Sequence, residues 1–164
     1  MEVYHEICTA FKPPCEDVKH SSASVSFDKS ASVADATAIV VDAFIREGED
    51  TAAEWAASGF GLTAGACDGG PNLKAWIAHR EGSNSGEPGF RASLVYYVCP
   101  GYEHVYHLVA IGSSAGKSGV GTALLIEFLR QCLSGTRLGA VVLEALGAKV
   151  HYYEVFFAAV AKAK

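Results

Sequence analysis

The sequence predicts an α/β domain of the α+β kind, a mixed and mainly antiparallel central sheet flanked by helices. Three observations carry this. Strand-like segments follow one another at Leu73–His79, Phe90–Cys99 and Val105–Ile111, with only turn-like sequence between them. That is the order of a meander, not of alternating strands and helices. Two stretches, Ser32–Arg46 and Thr122–Cys132, repeat apolar residues at helical spacing on either side of that meander. A further apolar run, Ala140–Ala145, follows the second of them and reads as another buried strand.

Taken in order, 1–22 reads as an N-terminal extension, with a short element at Val3–Phe11 and Pro13-Pro14 in its middle. One domain then fills 23–164. Ser24–Asp28 alternates Val25 and Phe27 with polar residues, the pattern of a short first strand. Ser32 followed by Asp35 is a capping-box-like start. The helix it opens runs to about Arg46, buries Ala36, Ile39, Val40, Ala43 and Phe44, and ends at Gly48. Glu49–Ser58 is a second helix carrying Trp55, and Gly59–Asn72 is a glycine-rich loop. The polar turn Glu81–Pro88 makes a hairpin of the first two meander strands, and Pro100-Gly101 separates the second from the third. After the break at Ser134-Gly135 and the strand at Ala140–Ala145, a short helix at Ala148–Glu154 and a last strand at Val155–Val160 are expected.

Composition narrows the function. Half of the 164 residues are hydrophobic, which excludes a disordered chain and is enough for a sizeable core. The net charge of −5 gives no support to nucleic-acid binding, which needs a basic face, and mildly favours a cationic substrate. Five cysteines, Cys8, Cys15, Cys67, Cys99 and Cys132, are odd in number and widely spaced. This predicts reduced thiols in a cytoplasmic protein rather than a disulfide framework or a zinc site. No apolar run approaches the ~20 residues of a membrane span, and the first twenty residues lack the pattern of a signal peptide. The histidines His79, His104, His107 and His151 have no spacing that fits a tight metal-ligand set.

The most informative stretch is Val105–Cys132. An apolar strand leads into Gly112–Gly121, four glycines among small polar residues, and then into an apolar helix. Strand, glycine turn and helix form an anion-binding arrangement, because N–H groups at a helix start point outward and the helix dipole adds positive charge there. A phosphate or pyrophosphate site is therefore expected near Gly116–Gly121. Gly112, Gly116, Lys117 and Ser118 approach the P-loop pattern, but three residues separate the glycines where that loop needs four. The loop also falls late in the chain.

Gly116-Lys117-Ser118-Gly119-Val120-Gly121, followed by Thr122-Ala123-Leu124-Leu125, resembles the acetyl-CoA loop Q/R-x-x-G-x-G/A of the GNAT-type N-acetyltransferases. Ala148–Glu154 is similar to the A-x-x-x-Y-Y-E segment of the same family, with Phe156-Phe157 in its usual G-F place. Gly116 stands where the family has Gln or Arg, and Gly147 where it often has Asn. Lys117 or Lys149 is the replacement charge. The resemblance covers about Ser24 to Val160 and implies a GNAT-like fold, with acetyl-CoA as co-substrate and a primary amine of a small molecule or peptide as acceptor. The chain stops at Lys164, before the usual last strand of the family. The sheet is then curtailed or completed by the extension or a partner chain, and a homodimer stays open.

The resemblance also implies roles. The strand end at Val109–Gly112, including Val109 and Ile111, would hold the pantetheine and the thioester carbonyl. Gly116, Lys117, Ser118, Gly119, Val120, Gly121 and Thr122 would hold the pyrophosphate. Tyr153, or Tyr152 one residue earlier, would be the acid for the leaving thiolate. Trp55 and Phe60 would line the acceptor pocket. The base is sought among Glu103, His104 and His107, with His107 first and Glu103 second, since imidazole titrates near neutral pH. Two other readings stay open: a non-catalytic GNAT-like module that binds CoA or another small molecule, and a P-loop-like nucleotide-binding protein.

Overall fold

Strand alternation and helical periodicity place most elements where the sequence predicts them. The structure is a computed structural model. It describes residues 25–60, 72–81, 89–99, 101–114, 119–133, 140–143 and 149–162, without the side chains of 133 and 158–162. The expected extension at 1–22, Cys8, Cys15 and Cys67, most of the glycine-rich loop, the Glu81–Pro88 turn apart from Glu81, the Ser134-Gly135 break and Gly147 lie outside these residues.

The elements in chain order are β1 (Val25–Ala31), α1 (Val33–Arg46), α2 (Asp50–Ala57), β2 (Lys74–Arg80), β3 (Phe90–Val98), β4 (Val105–Ser113), α3 (Val120–Leu133), β5 (Ala140–Leu143) and α4 (Val150–Lys162). The strands form one sheet in the order β1-β2-β3-β4-β5. The first three pairings are antiparallel. The last, β4 with β5, is parallel, with α3 making the crossover that parallel strands require. The α+β class and the mainly antiparallel mixed sheet follow as expected. The strand on the glycine turn has an antiparallel neighbour in β3, unlike the parallel sheet of a P-loop domain.

Helix α1 starts as its sequence dictates. The Ser32 hydroxyl accepts from the Asp35 amide at 3.2 Å, satisfying one of the N–H groups a helix start leaves over. Its buried residues are Ala36, Ile39, Val40, Ala43 and Phe44, the predicted face. Gly48 follows at φ 78, a left-handed turn that glycine takes without a Cβ clash.

Side-chain alternation along β3 divides the core between the two faces of the sheet. Ala92 and Leu94 join a cluster with Phe128 and Leu124 of α3 and Phe156 of α4. Val95 joins a second cluster with Ala36 and Val40 of α1 and Ala53 and Ala56 of α2. Ser93 points to the same side as Val95 and, fully buried, donates to the Ala36 carbonyl at 2.7 Å, which fastens α1 to the sheet.

One expected element is replaced. The last strand, Val155–Val160, does not form. Val150–Lys162 is a single helix. Alanines at 158, 159 and 161 are strong helix formers, and the aromatic residues sit at helical spacing. Tyr152 stacks on Phe156 and Tyr153 on Phe157, four residues apart in each case. The doubled aromatic pattern that looks strand-like in sequence is a helix with aromatic rungs. Among the described residues no helix is long and apolar enough to cross a membrane.

Candidate functional site

The site begins with an irregularity in β4. Pairing with β3 runs Tyr96↔Leu108 and then Val95↔Ala110, so Val109 is an extra residue, a β-bulge. The bulge resets the alternation. Leu108 packs in the α3 cluster, Ala110 in the α1 cluster and Ile111 again on the α3 side. Pairing with β5 ends at almost the same place, with Leu108↔Leu143. From Val109 to Ser113, β4 has no β5 partner among the described residues.

Glycine and arginine hold this second half of β4 in place. A Cβ on Gly112 would lie 3.0 Å from both the Val40 Cα and the Ala43 Cβ, so α1 can cross the strand this closely only over a glycine. The Arg46 guanidinium, at the end of α1, donates to the carbonyls of Ser113 and Ser114 at 2.6 and 2.7 Å. The chain then reaches Gly119, at φ 77, and enters α3, where the Ala123 amide donates to the Gly119 carbonyl at 3.0 Å.

The second half of β4 opens on a cavity of about 780 Å³. Its floor is His107–Ser113 of β4. One wall is the start of α3, at Gly119, Gly121 and Thr122, with Lys149, Tyr152 and Tyr153 at the start of α4. The opposite wall is the α1–α2 corner, including Phe44, Glu47, Glu49, Thr51, Trp55 and Phe60, and Tyr97 of β3 also lines it. The cavity has the size and mixed polarity of a small-molecule site.

Most of the expected residues meet here. Val109, Ile111, Gly119, Gly121 and Thr122 line the cavity, as do His107, Tyr153, Trp55 and Phe60. Trp55 is 41 % exposed and meets Phe60 edge to face, with centroids 5.3 Å apart. It therefore serves as wall and not as core. Phe60 is buried and holds φ 62, a left-handed backbone that is costly for a bulky residue.

Three expected residues, Glu103, His104 and Val120, do not line the cavity. Glu103 is exposed in the β3–β4 turn, at the end of β4 remote from the start of α3, and does not line the cavity. That turn is closed by the Tyr102 amide on the Cys99 carbonyl at 3.0 Å and the Val105 amide on the Tyr102 carbonyl at 3.1 Å, which keeps Glu103 among solvent-facing residues. His104 shares the exposed turn. Val120 turns its side chain into the α3 core, fully buried. Gly116, Lys117 and Ser118 lie outside the described residues.

The polar contacts within the cavity are specific. The Thr122 hydroxyl and the Tyr152 hydroxyl are 2.7 Å apart, joining the start of α3 to α4. Lys149 pairs with Glu47 at 3.1 Å, joining α4 to α1. Tyr97 and His107 face each other across β3 and β4. Their rings stack at 4.8 Å, and the Tyr97 hydroxyl is 2.8 Å from His107 Nδ1. Burial, then Tyr152 and Glu47 nearby, push the Tyr153 phenol well above its ordinary value of 10.0, so it keeps its proton at neutral pH.

Tyr97, Glu47 and Glu49 are the site residues that the sequence hides. Tyr97 lies in an apolar run, and only strand register pairs it with His107. Glu47 and Glu49 flank Gly48 and read as solvated loop charges until the corner folds over the cavity. Among the described residues no group of three His, Cys, Asp or Glu is placed to share a metal ion. The arrangement offers a helix start for an anion, the second half of β4 as a floor, a protonated phenol and an aromatic wall beside carboxylates. No protein-family model, curated protein or solved structure matches this chain.

Proposed function

We propose that the chain is a GNAT-like N-acetyltransferase, which moves an acetyl group from acetyl-CoA to a primary amine of a small molecule or peptide by direct attack. One observation carries this reading. At Leu108–Val109, β4 bulges and its pairing with the described residues of β5 ends, and a glycine-led helix start follows the strand. An open strand edge offers amide and carbonyl groups at strand spacing to a pantetheine arm. A helix start beside it suits a pyrophosphate. The two lie next to each other along one cavity, and the residues fit the co-substrate in this respect.

In the proposed reaction the amine nitrogen attacks the thioester carbonyl carbon. The C–N bond forms, the C–S bond breaks, and the electron pair leaves on sulfur. The ammonium first loses a proton to a base or to water, and after attack the nitrogen loses a second proton to solvent as the amide forms. Tyr153 supports the leaving group. Because burial raises its pKa, it serves by donating a hydrogen bond to the forming thiolate, and solvent completes the protonation. Much of the rate comes from holding amine and thioester together in one cavity. Glu47 and Glu49 favour a cationic acceptor. The cytoplasm, where acetyl-CoA is available, is the compartment this reading implies.

The test is a thermal-shift titration with acetyl-CoA, CoA and Mg-ATP, followed by thiol-release assays against a panel of amines. Ligand that binds the native state raises the melting temperature by mass action. Stabilisation by acetyl-CoA together with amine-dependent thiol release is expected. Tyr153→Phe should then lower kcat by roughly 10- to 100-fold, in the usual range for a positioned proton donor, with little change in acetyl-CoA binding. Binding without turnover would point to a non-catalytic CoA-binding module. Stabilisation by Mg-ATP alone would sink the transferase reading.

A further inference from the structure

We propose that Tyr97 is a positioning residue that makes His107 a neutral hydrogen-bond donor in the cavity, and not its general base. The chemistry rests on the transferase reading, whereas the tautomer rests on the Tyr97–His107 geometry alone.

The two side chains are directly opposite on β3 and β4, and both line the cavity. Their rings stack with planes 30° apart, which restricts how the imidazole can turn. The hydroxyl oxygen and Nδ1 are 2.8 Å apart, so one proton lies between them. Two arrangements satisfy that bond. In one the phenol donates to Nδ1, and in the other Nδ1–H donates to the phenol oxygen. The groups are unequal. A phenol, with a pKa of about 10, is a better donor than a neutral imidazole N–H. An imidazole nitrogen, whose conjugate acid has a pKa of about 6.5, is a better acceptor than a phenol oxygen. The stronger acid therefore donates to the stronger base, and O–H···Nδ1 is favoured.

The partner on one ring nitrogen fixes the other. With Nδ1 accepting, the proton of the neutral ring lies on Nε2. Such a ring has no lone pair left for an ammonium proton. It has an N–H to offer a carbonyl oxygen. In acyl transfer this is an oxyanion-type role, in which a fixed donor meets charge developing on the thioester oxygen. The base is then another group or water. The titratable groups sharing the cavity are Glu47 and Glu49 from the α1–α2 corner and Lys149, Tyr152 and Tyr153 from α4. On β5 the residue opposite His107 is the uncharged Val142.

The deciding experiment is a long-range ¹⁵N–¹H spectrum of the histidine rings in the whole chain, at a pH where the ring is neutral. The His107 signals are assigned by their loss in His107→Ala. The expected pattern is protonated Nε2 with a hydrogen-bonded, unprotonated Nδ1, and Tyr97→Phe should move the Nδ1 signal toward that of a free acceptor. An Nδ1–H pattern overturns the proposal whether or not the protein transfers acetyl groups. If amine-dependent turnover is present, His107→Ala should lower kcat roughly 100-fold, the usual loss on removing one oxyanion donor, and should leave the acidic limb of the pH–rate profile in place. Disappearance of that limb would make His107 the base and overturn the proposal. Tyr97→Phe should lower kcat with little effect on KM.

Discussion

Val105–Leu108 and Val109–Ser113 belong to one strand but are held differently. The first half pairs with β3 on one side and β5 on the other. Its inward residues Tyr106 and Leu108 pack on Phe128 and its neighbours. The second half begins with a bulge, has no β5 partner among the described residues and forms the cavity floor. It is held from one face by α1, with Gly112 under Val40 and Ala43 and with Arg46 on the carbonyls of Ser113 and Ser114. A strand can thus be core at one end and cavity floor at the other when a single inserted residue breaks its register.

The sharpest way to break this comparison is to truncate one residue on each side of the bulge. Leu108 is almost fully buried, and Leu108→Ala should cost about 2–5 kcal/mol from lost burial and the cavity left behind. Val109 is half-buried, and Val109→Ala should cost only about 1 kcal/mol. Urea denaturation of the two variants measures both. Equal losses would mean that the halves are one packing unit. A second test is Gly112→Ala. The new methyl group would press on the α1 backbone at 3.0 Å, a crowding expected to cost about 1–3 kcal/mol. Ligand binding should fall as well, because α1 then shifts against the cavity floor. A variant as stable as the parent would show that α1 does not depend on the glycine.

The well-packed half also predicts an alkaline limit to stability. Burial pushes the Cys132 thiol from its ordinary value of 9.0 up to about 12. Tyr96 and Tyr106, which pack against the same cluster, are raised too, chiefly by desolvation. The folded state therefore keeps protons that the unfolded state has lost. These groups contribute fully below the unfolded values, and their contribution declines as the unfolded chain ionises, for Cys132 between pH 9.0 and about 12. The urea midpoint should fall across that window. Cys132→Ala should flatten the fall, and an unchanged slope would show that the thiol is not the group responsible.

How much of this is legible in the sequence depends on whether an element is set locally. The start and buried face of α1 are readable because Ser32, Asp35 and the apolar spacing act within one helix. Strand β1, the three meander strands β2, β3 and β4, and β5 are readable for the same kind of reason. The cavity location is readable in outline, since Val109, Gly121 and Thr122 sit in or beside the strand–glycine–helix stretch. The bulge is not, because Val109 in a run of apolar residues looks like any other strand residue, and only the β3 register exposes it. Tyr97 stays hidden for the same reason. The α4 error has a different cause. Phe156-Phe157 favours a strand by residue type, but the alanines after it and the four-residue aromatic spacing favour a helix, and the cumulative preference of the segment prevails. Glu103 lies beside β4 in sequence but outside the cavity lining, because it precedes the strand and the cavity floor is His107–Ser113.

The smallest expected stability effect concerns the Lys149–Glu47 pair, and it distinguishes a clasp from a ligand contact. The two side chains are 47 % and 31 % exposed and 3.1 Å apart, so the pair is worth no more than about 1 kcal/mol. Lys149→Met and Glu47→Gln should each leave the urea midpoint nearly unchanged. Acetyl-CoA affinity should separate them. If Lys149 supplies the charge that Gly116 lacks, a bound pyrophosphate competes with Glu47 for it. Lys149→Met should then weaken binding by about tenfold, equal to ~1.4 kcal/mol. Glu47→Gln removes the competitor and should strengthen binding, and the difference between the two variants should shrink as salt screens the charges. Titration calorimetry at low and high ionic strength reads both effects. Equal weakening by both substitutions would identify the pair as a clasp between α1 and α4, with the anion held by the α3 start alone.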